Sequence, residues 1–426
     1  MNTKQYPMFW TWMGYDPSAD FDAACARMRE TGIDGVQLNA ATPEDYQKAV
    51  AIARNYGIEV YAWVVTMNVE KSQGVDKLLV EHPDWFSVNR LGQSIAETKA
   101  YVDYYKFLCP AVSEARAFIK QRVRAFCEVD GLNGISIDYH RFVDVILPAT
   151  LWPKYDVVQD REYPQWDYGY HPAMIAAFKE RHGYDPREQE DPSCDETWLN
   201  FRCEQITEVA NEIADVVHAY GKVMAASPFP TPKMSRSMVR QDWGKWNLDI
   251  VFPMVYHDFY TEDASFIADC TLENLRDKKP ETTLYCGLMI KDTLSVTEFM
   301  DAALNNGAEG ISIFTIDSIR SPEVRAAFRA YADAARARRA ASGYQPPLNK
   351  SVVVDPFEKA GVMRLIHEKM REYTKGKELR LSEYRLCKEV GVTKRYEVSD
   401  ANSGMSFDVA FYFYGGILSG WIVRKL

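Results

Sequence analysis

The sequence is poor in the features that would place it quickly. Its eight cysteines (Cys25, Cys109, Cys127, Cys194, Cys203, Cys270, Cys286 and Cys387) include no C-x-x-C pair, so a zinc ribbon or disulfide framework is not indicated. They read as small buried apolar residues in a reducing compartment. No H-E-x-x-H occurs among the seven histidines, and no metal or cofactor is expected. Basic residues are outnumbered, 50 Lys and Arg against 60 Asp and Glu, a formal charge of -10 that leaves no footprint for nucleic acid. The longest apolar run, Ala410 to Val423, is broken by Tyr, Ser and Gly and is too short for a membrane span of about 18–20 residues. Met1-Asn2-Thr3-Lys4-Gln5 leads into no apolar signal core. The expectation is a cytoplasmic protein, or a periplasmic or secreted one if an export signal has been removed.

What is present, over 426 residues, is a repeated alternation of short apolar runs with helical stretches. Strands are expected at 8–12, 35–39, 58–65, 135–138, 223–227, 250–256, 284–288 and 311–315. Helices follow them, among them one opening at Thr42-Pro43-Glu44 and others over 113–129, 197–219 and 321–338. Eight strand–helix units predict an α/β fold, a (β/α)8 TIM barrel, over residues 1–340. No G-x-G-x-x-G follows the first strand, which argues against a dinucleotide-binding sheet. Pro253 within the sixth strand fits only near a strand end or a bulge. An aromatic-rich insertion follows the fourth strand. Residues 341–355 read as a linker. Residues 356–426 read as a small α+β appendage, with a helix over about 356–373, a locally basic stretch over 381–398 and one or two strands over 407–423.

In such barrels the reacting groups stand at the C-terminal ends of strands. Asp138 is the most specific. Alternation along Ile135-Ser136-Ile137-Asp138 puts the isoleucines against outer helices and turns Ser136 and Asp138 inward. Arg141 is close enough in sequence to pair with it. Asp258 shares the parity of Tyr256 on the sixth strand, so it either faces the same mouth or caps the next helix. Two carboxylates across a sugar-sized pocket are what glycosidic hydrolysis needs, one as acid and one as nucleophile or base. Asp138 and Asp258 are therefore the candidate catalytic pair. Candidate substrate contacts are Trp10, Trp12, Asn39, Trp63, His140, Arg141, Trp166, Ser227, Tyr256, His257 and Asp317. Trp166 belongs to the insertion, whose aromatic faces suit sugar rings unless the segment packs a mini-core of its own. Asp317 also reads as a helix cap.

Gly134-Ile135-Ser136-Ile137-Asp138-Tyr139-His140-Arg141-Phe142 resembles the strand-four motif G-I-H-L-D-Y-x-R-Y of a bacterial family of glycosyl-hydrolase-like barrels akin to family ten. His82-Pro83-Asp84-Trp85, Leu108-Cys109-Pro110, the stretch from Phe178 to Pro186 and Ala226-Ser227-Pro228-Phe229 are similar to further pieces of the same pattern. The resemblance spans about residues 6–330. It implies a barrel and a carbohydrate substrate, and carries over Asp138, Arg141 and Tyr256. Two positions depart: Phe142 stands for a tyrosine, and Pro253-Met254-Val255-Tyr256 stands for Pro-Gln-x-Tyr, losing a glutamine that would hydrogen-bond substrate. The expected function is a glycoside hydrolase; the second expectation is a non-catalytic glycan-binding barrel. A Schiff-base lyase fits less well, because Lys222 precedes its strand and Lys291 lies in a loop.

Overall fold

The computed structural model describes residue 6, residues 8–260 and 264–342 and, towards the C-terminus, 366, 369–371, 373–374, 381–390, 393–400, 403, 405–414 and 417–426. Eight parallel strands close on themselves: β1 (Phe9–Gly14), β2 (Gly35–Asn39), β3 (Glu59–Val65), β4 (Gly134–Asp138), β5 (Val223–Ala226), β6 (Ile250–Val251), β7 (Thr283–Met289) and β8 (Gly310–Phe314). β8 pairs back to β1. The helices before β4 are α1 (Phe21–Thr31), α2 (Pro43–Asn55), α3 (Val75–Glu81) and α4 (Ser113–Cys127). The β4–β5 connection holds α5 (Trp152–Tyr155), α6 (Pro172–His182) and α7 (Glu196–Ala219). After them come α8 (Pro232–Val239), α9 (Ser265–Asp277), α10 (Val296–Leu304) and α11 (Pro322–Ser342). The molecule is the (β/α)8 barrel that the alternation predicts.

Local chemistry sets the helix starts. Thr42 caps α2 by accepting from the Asp45 N–H, with Pro43 in the first turn, and Asp195 caps α7 through the N–H groups of Thr197 and Trp198. Strand parity sorts the core. Ile135 and Ile137 are buried with the helix faces outside the barrel, each worth about 1.5–3 kcal/mol of burial. Inside it, Trp10, Trp12, Tyr61, Phe252 and Tyr285 form a separate aromatic filling. Trp12 reaches the centre because position 287 is glycine; a Cβ there would lie 2.8 Å from the indole and 2.7 Å from the Pro253 carbonyl.

The sixth strand departs from expectation. Only Ile250 and Val251 are strand. Pro253 has no N–H for the ladder, and beyond it the N–H groups of Val255, Tyr256 and His257 bond two residues back, at 2.9, 2.8 and 3.1 Å. The period-two alternation therefore stops before Asp258.

The C-terminal residues form an antiparallel sheet of β9 (Leu381–Val390), β10 (Thr393–Asp400), β11 (Ser406–Tyr414) and β12 (Ile417–Lys425), ordered β12-β11-β10-β9. β9 and most of β10 fall in the basic stretch over 381–398. Tyr396 and Val398 bury one face against Phe407, Val409 and Phe411, so the charges of β10 mask a half-buried alternation. All but the first two residues of the expected linker lie outside the described residues, as does most of the expected helix; residues 366, 369–371 and 373 are helical. No helix among the described residues is long and apolar enough to cross a membrane.

Candidate active site

A cavity of about 470 Å³ opens at the C-terminal end of the barrel, within the usual small-molecule range of about 300–1,000 Å³. Residues at or just beyond the ends of all eight strands line it, from Trp12 on β1 through Asp138 on β4 to Phe314 on β8.

Asp138 sits on its floor, 5% exposed. Its Oδ2 accepts from Trp63 Nε1 at 2.9 Å, and its Oδ1 accepts from the Tyr139 backbone N–H at 2.5 Å. Burial pushes the carboxyl above the ordinary aspartate range, while the two N–H donors and the charge of Arg141 oppose that rise. Trp63 is itself held, since Asn39 Nδ2 donates to its carbonyl at 3.0 Å. Tyr139 takes φ +48°, a left-handed conformation costing a tyrosine about 1–3 kcal/mol. That turn lets its N–H meet the preceding carboxylate.

The same turn separates the next two residues. His140 leaves the cavity for the helix layer and is fully packed between Thr66 Oγ1 and the Ile206 carbonyl, both 2.9 Å from ring nitrogens. Burial lowers its pKa to about 4, so the neutral ring donates from Nε2 to the carbonyl and accepts at Nδ1 from Thr66. His140 positions the turn; it does not line the cavity. Arg141 does line it. Its direct ion-pair partner is Asp144 at 2.9 Å rather than Asp138. The guanidinium lies 5.0–5.5 Å from the rings of Tyr105, Phe107, Tyr139 and Phe229. The Asp144 carboxylate also accepts from the hydroxyls of Tyr101 and Tyr105.

Two cavity acids lie outside the sequence expectation. Asp144 is consumed by this pairing. Glu70, in the loop after β3, is pushed above the ordinary glutamate range by burial and then by the negative charge of Asp138, with Arg122 opposing. Tyr256 also lines the cavity, and burial together with Asp138 keeps its phenol protonated. The signals in the sequence were the tyrosine run Tyr101-Val102-Asp103-Tyr104-Tyr105 and a glutamate five residues past a strand.

Of the expected contacts, Trp12, Asn39, Trp63, Arg141 and Tyr256 gather here. The others do not. Trp10 is wholly buried one layer below, 4.4 Å from the Tyr61 ring, because it stands two residues deeper on β1. Ser227 lies under the floor, accepting from Trp12 Nε1 at 3.2 Å and donating to Gln37 at 3.0 Å. Trp166 packs on Tyr163 away from the mouth, since the insertion acids Glu162 and Asp167 are drawn to Arg240 and Arg202. The later part of the insertion packs into the main hydrophobic core through Tyr168 and Tyr170, and only its first part, including Leu151 and Tyr155, lines the cavity. Asp317 is 59% exposed and pairs with Arg27 on α1. His257 and Asp258 line a neighbouring cavity of about 220 Å³, where Asp258 pairs with Lys291 at 2.9 Å and with His257 at 3.2 Å. The early end of β6 sends them there. Among the described residues no His, Cys, Asp or Glu cluster would hold a metal ion.

A closed α/β barrel with a buried carboxylate and an aromatic cavity at its C-terminal face is a glycosidase-like architecture. The chain belongs to the glycosyl hydrolase-like 10 family, whose model matches residues 16–301. Among solved structures it is similar to the α-galactosidase from Lactobacillus brevis, with TM-score 0.49 and 10% identity over 96% of this chain and 46% of that one. It thus spans under half of that protein. It is also similar to an isomaltulose synthase from a Klebsiella species (TM-score 0.43, 11% identity, 96% and 90% covered). A third is a chitinase from Chromobacterium violaceum (TM-score 0.41, 10% identity, 78% and 99% covered). No curated protein matches the sequence.

Proposed function

We propose that the protein hydrolyses O-glycosidic bonds of an oligo- or polysaccharide, with Asp138 and Glu70 as the working carboxylates. The observation that carries this reading is two acids on one cavity whose surroundings differ. Burial raises both carboxyls, but at Asp138 two N–H donors and Arg141 oppose the rise, whereas at Glu70 the charge of Asp138 adds to it and only Arg122 opposes. Glu70 therefore gives its proton to the departing glycosidic oxygen. Asp138 bonds to the anomeric carbon or takes a proton from the water that does. Aromatic walls carry the sugar faces, and the Tyr256 hydroxyl is a neutral donor toward the sugar. Asp258, the partner expected from sequence, is replaced in this role because Lys291 and His257 occupy it in the adjoining cavity.

Activity should follow a bell in pH, falling in acid as Asp138 protonates and in base as Glu70 loses its proton, with both limbs displaced upward by burial. Glu70→Gln should remove the basic limb and slow cleavage by about 10²–10⁴-fold on substrates with poor leaving groups. It should act far less on 2,4-dinitrophenyl glycosides, whose leaving group needs no proton. Equal losses on both substrates would exclude Glu70 as the acid. Trp63→Phe keeps the ring and deletes the donor to Asp138. A hydrogen bond to a charged group is worth about 1.5–3 kcal/mol, so the acidic limb should move up by about one to two pH units. An unmoved limb would show that this bond does not tune Asp138.

A further inference from the structure

We infer that the cavity takes the non-reducing end of a glycan, so that the protein trims terminal sugars instead of cutting within a chain; this rests on the glycosidase reading above. An enzyme that cuts inside a chain needs a groove open at two ends. Here three loops are tied into one wall. The loop after β3 meets the insertion after β4, where the Tyr101 and Tyr155 rings stand edge to face at 5.4 Å. The insertion then meets the loop after β6, where the Thr150 hydroxyl donates to the Phe259 carbonyl. Tyr101, Leu151, Tyr155 and Phe259 all line the cavity, so these tied loops form its side from β3 to β6. Phe229 and Pro230 after β5 line the same side of the cavity. Asp138 lies at the floor. A sugar whose anomeric carbon reaches it occupies the blind end, and the leaving group points out through the mouth. The sugar in the blind end is then the chain's non-reducing terminus.

The test uses 4-nitrophenyl trisaccharides of glucose, galactose and N-acetylglucosamine, each with a free non-reducing end or with that end capped as a 4,6-O-benzylidene acetal. For the sugar that is cleaved, chromatography should show a monosaccharide and a nitrophenyl disaccharide from the free substrate. The capped one should react about 100-fold more slowly. Tyr155→Ala, which opens the wall, should narrow that gap. Binding to Asp138→Asn, followed by the fluorescence of Trp12 and Trp63, separates the two proposals. If wild type cleaves nothing but the variant binds free-ended trisaccharide at least about tenfold better than capped, chain-end recognition stands and the catalytic reading falls. Discrimination below about tenfold in both assays overturns the inference while leaving hydrolysis intact where it occurs. Neither binding nor cleavage overturns both.

Discussion

Asp138→Asn should cost about 10⁴-fold in hydrolysis, at the upper end of what a positioned acid or base contributes, and should not cost stability. The amide is nearly isosteric and still offers an oxygen to Trp63 Nε1 or to the Tyr139 N–H. What it cannot do is carry charge to the anomeric carbon or take a proton from water. The stability half of the expectation follows from linkage. An aspartate whose folded pKa is raised supports the fold fully below its unfolded pKa, and that support is lost as pH rises through the folded value. Asparagine does not titrate. At pH 7 the variant should therefore melt at or above the wild-type temperature, and the advantage should vanish below about pH 4, where aspartate is protonated in both states. Thermal melts across pH alongside initial rates check both halves. A variant that keeps its melting curve and its activity would remove Asp138 from the chemistry.

How far the site could be read in advance depended on the range of the forces that place each residue. β4 was legible because period two is a local rule: Ile135 and Ile137 went out, Ser136 and Asp138 in. Thr42 with Pro43 marked its helix for the same reason, a cap being settled within four residues. Asp258 escapes the period-two rule because that rule holds only along a strand, and β6 ends before Pro253. His140 and Arg141 looked equivalent in sequence. The left-handed turn at Tyr139 parts them, and that turn is fixed by Ile206 and Thr66, 66 and 74 residues from His140. Glu70 was hidden for want of any periodicity in its loop. Its relation to Asp138 exists only once β3 and β4 pair, with Val65 opposite Asp138. The insertion reads as aromatic and acidic, but its role turns on Arg202 and Arg240, far along the chain, which draw its acids inward.

The largest loss of stability should come from Asp144→Ala. Its carboxylate serves Arg141, Tyr101 and Tyr105 at once, and neither Arg141 nor Asp144 is more than a few per cent exposed. Removing it leaves a buried guanidinium without its counter-charge and two phenols without their acceptor, a loss of about 3–5 kcal/mol. Asp144→Asn should fall between wild type and alanine, since an amide oxygen still accepts from the hydroxyls but carries no charge. The four rings around the guanidinium offset part of the penalty, which is why the barrel should still fold. The pair itself is not expected to be a large net source of stability, because both ions gave up water to form it. Arg141→Met with Asp144→Leu should therefore recover much of what Asp144→Ala loses, as read from urea midpoints at constant slope. If the double variant is as unstable as the single, the pair stabilises the barrel outright. If it recovers stability but loses sugar binding, the charges are kept for the shape of the cavity wall, with Tyr105 and Tyr139 held in place around Arg141.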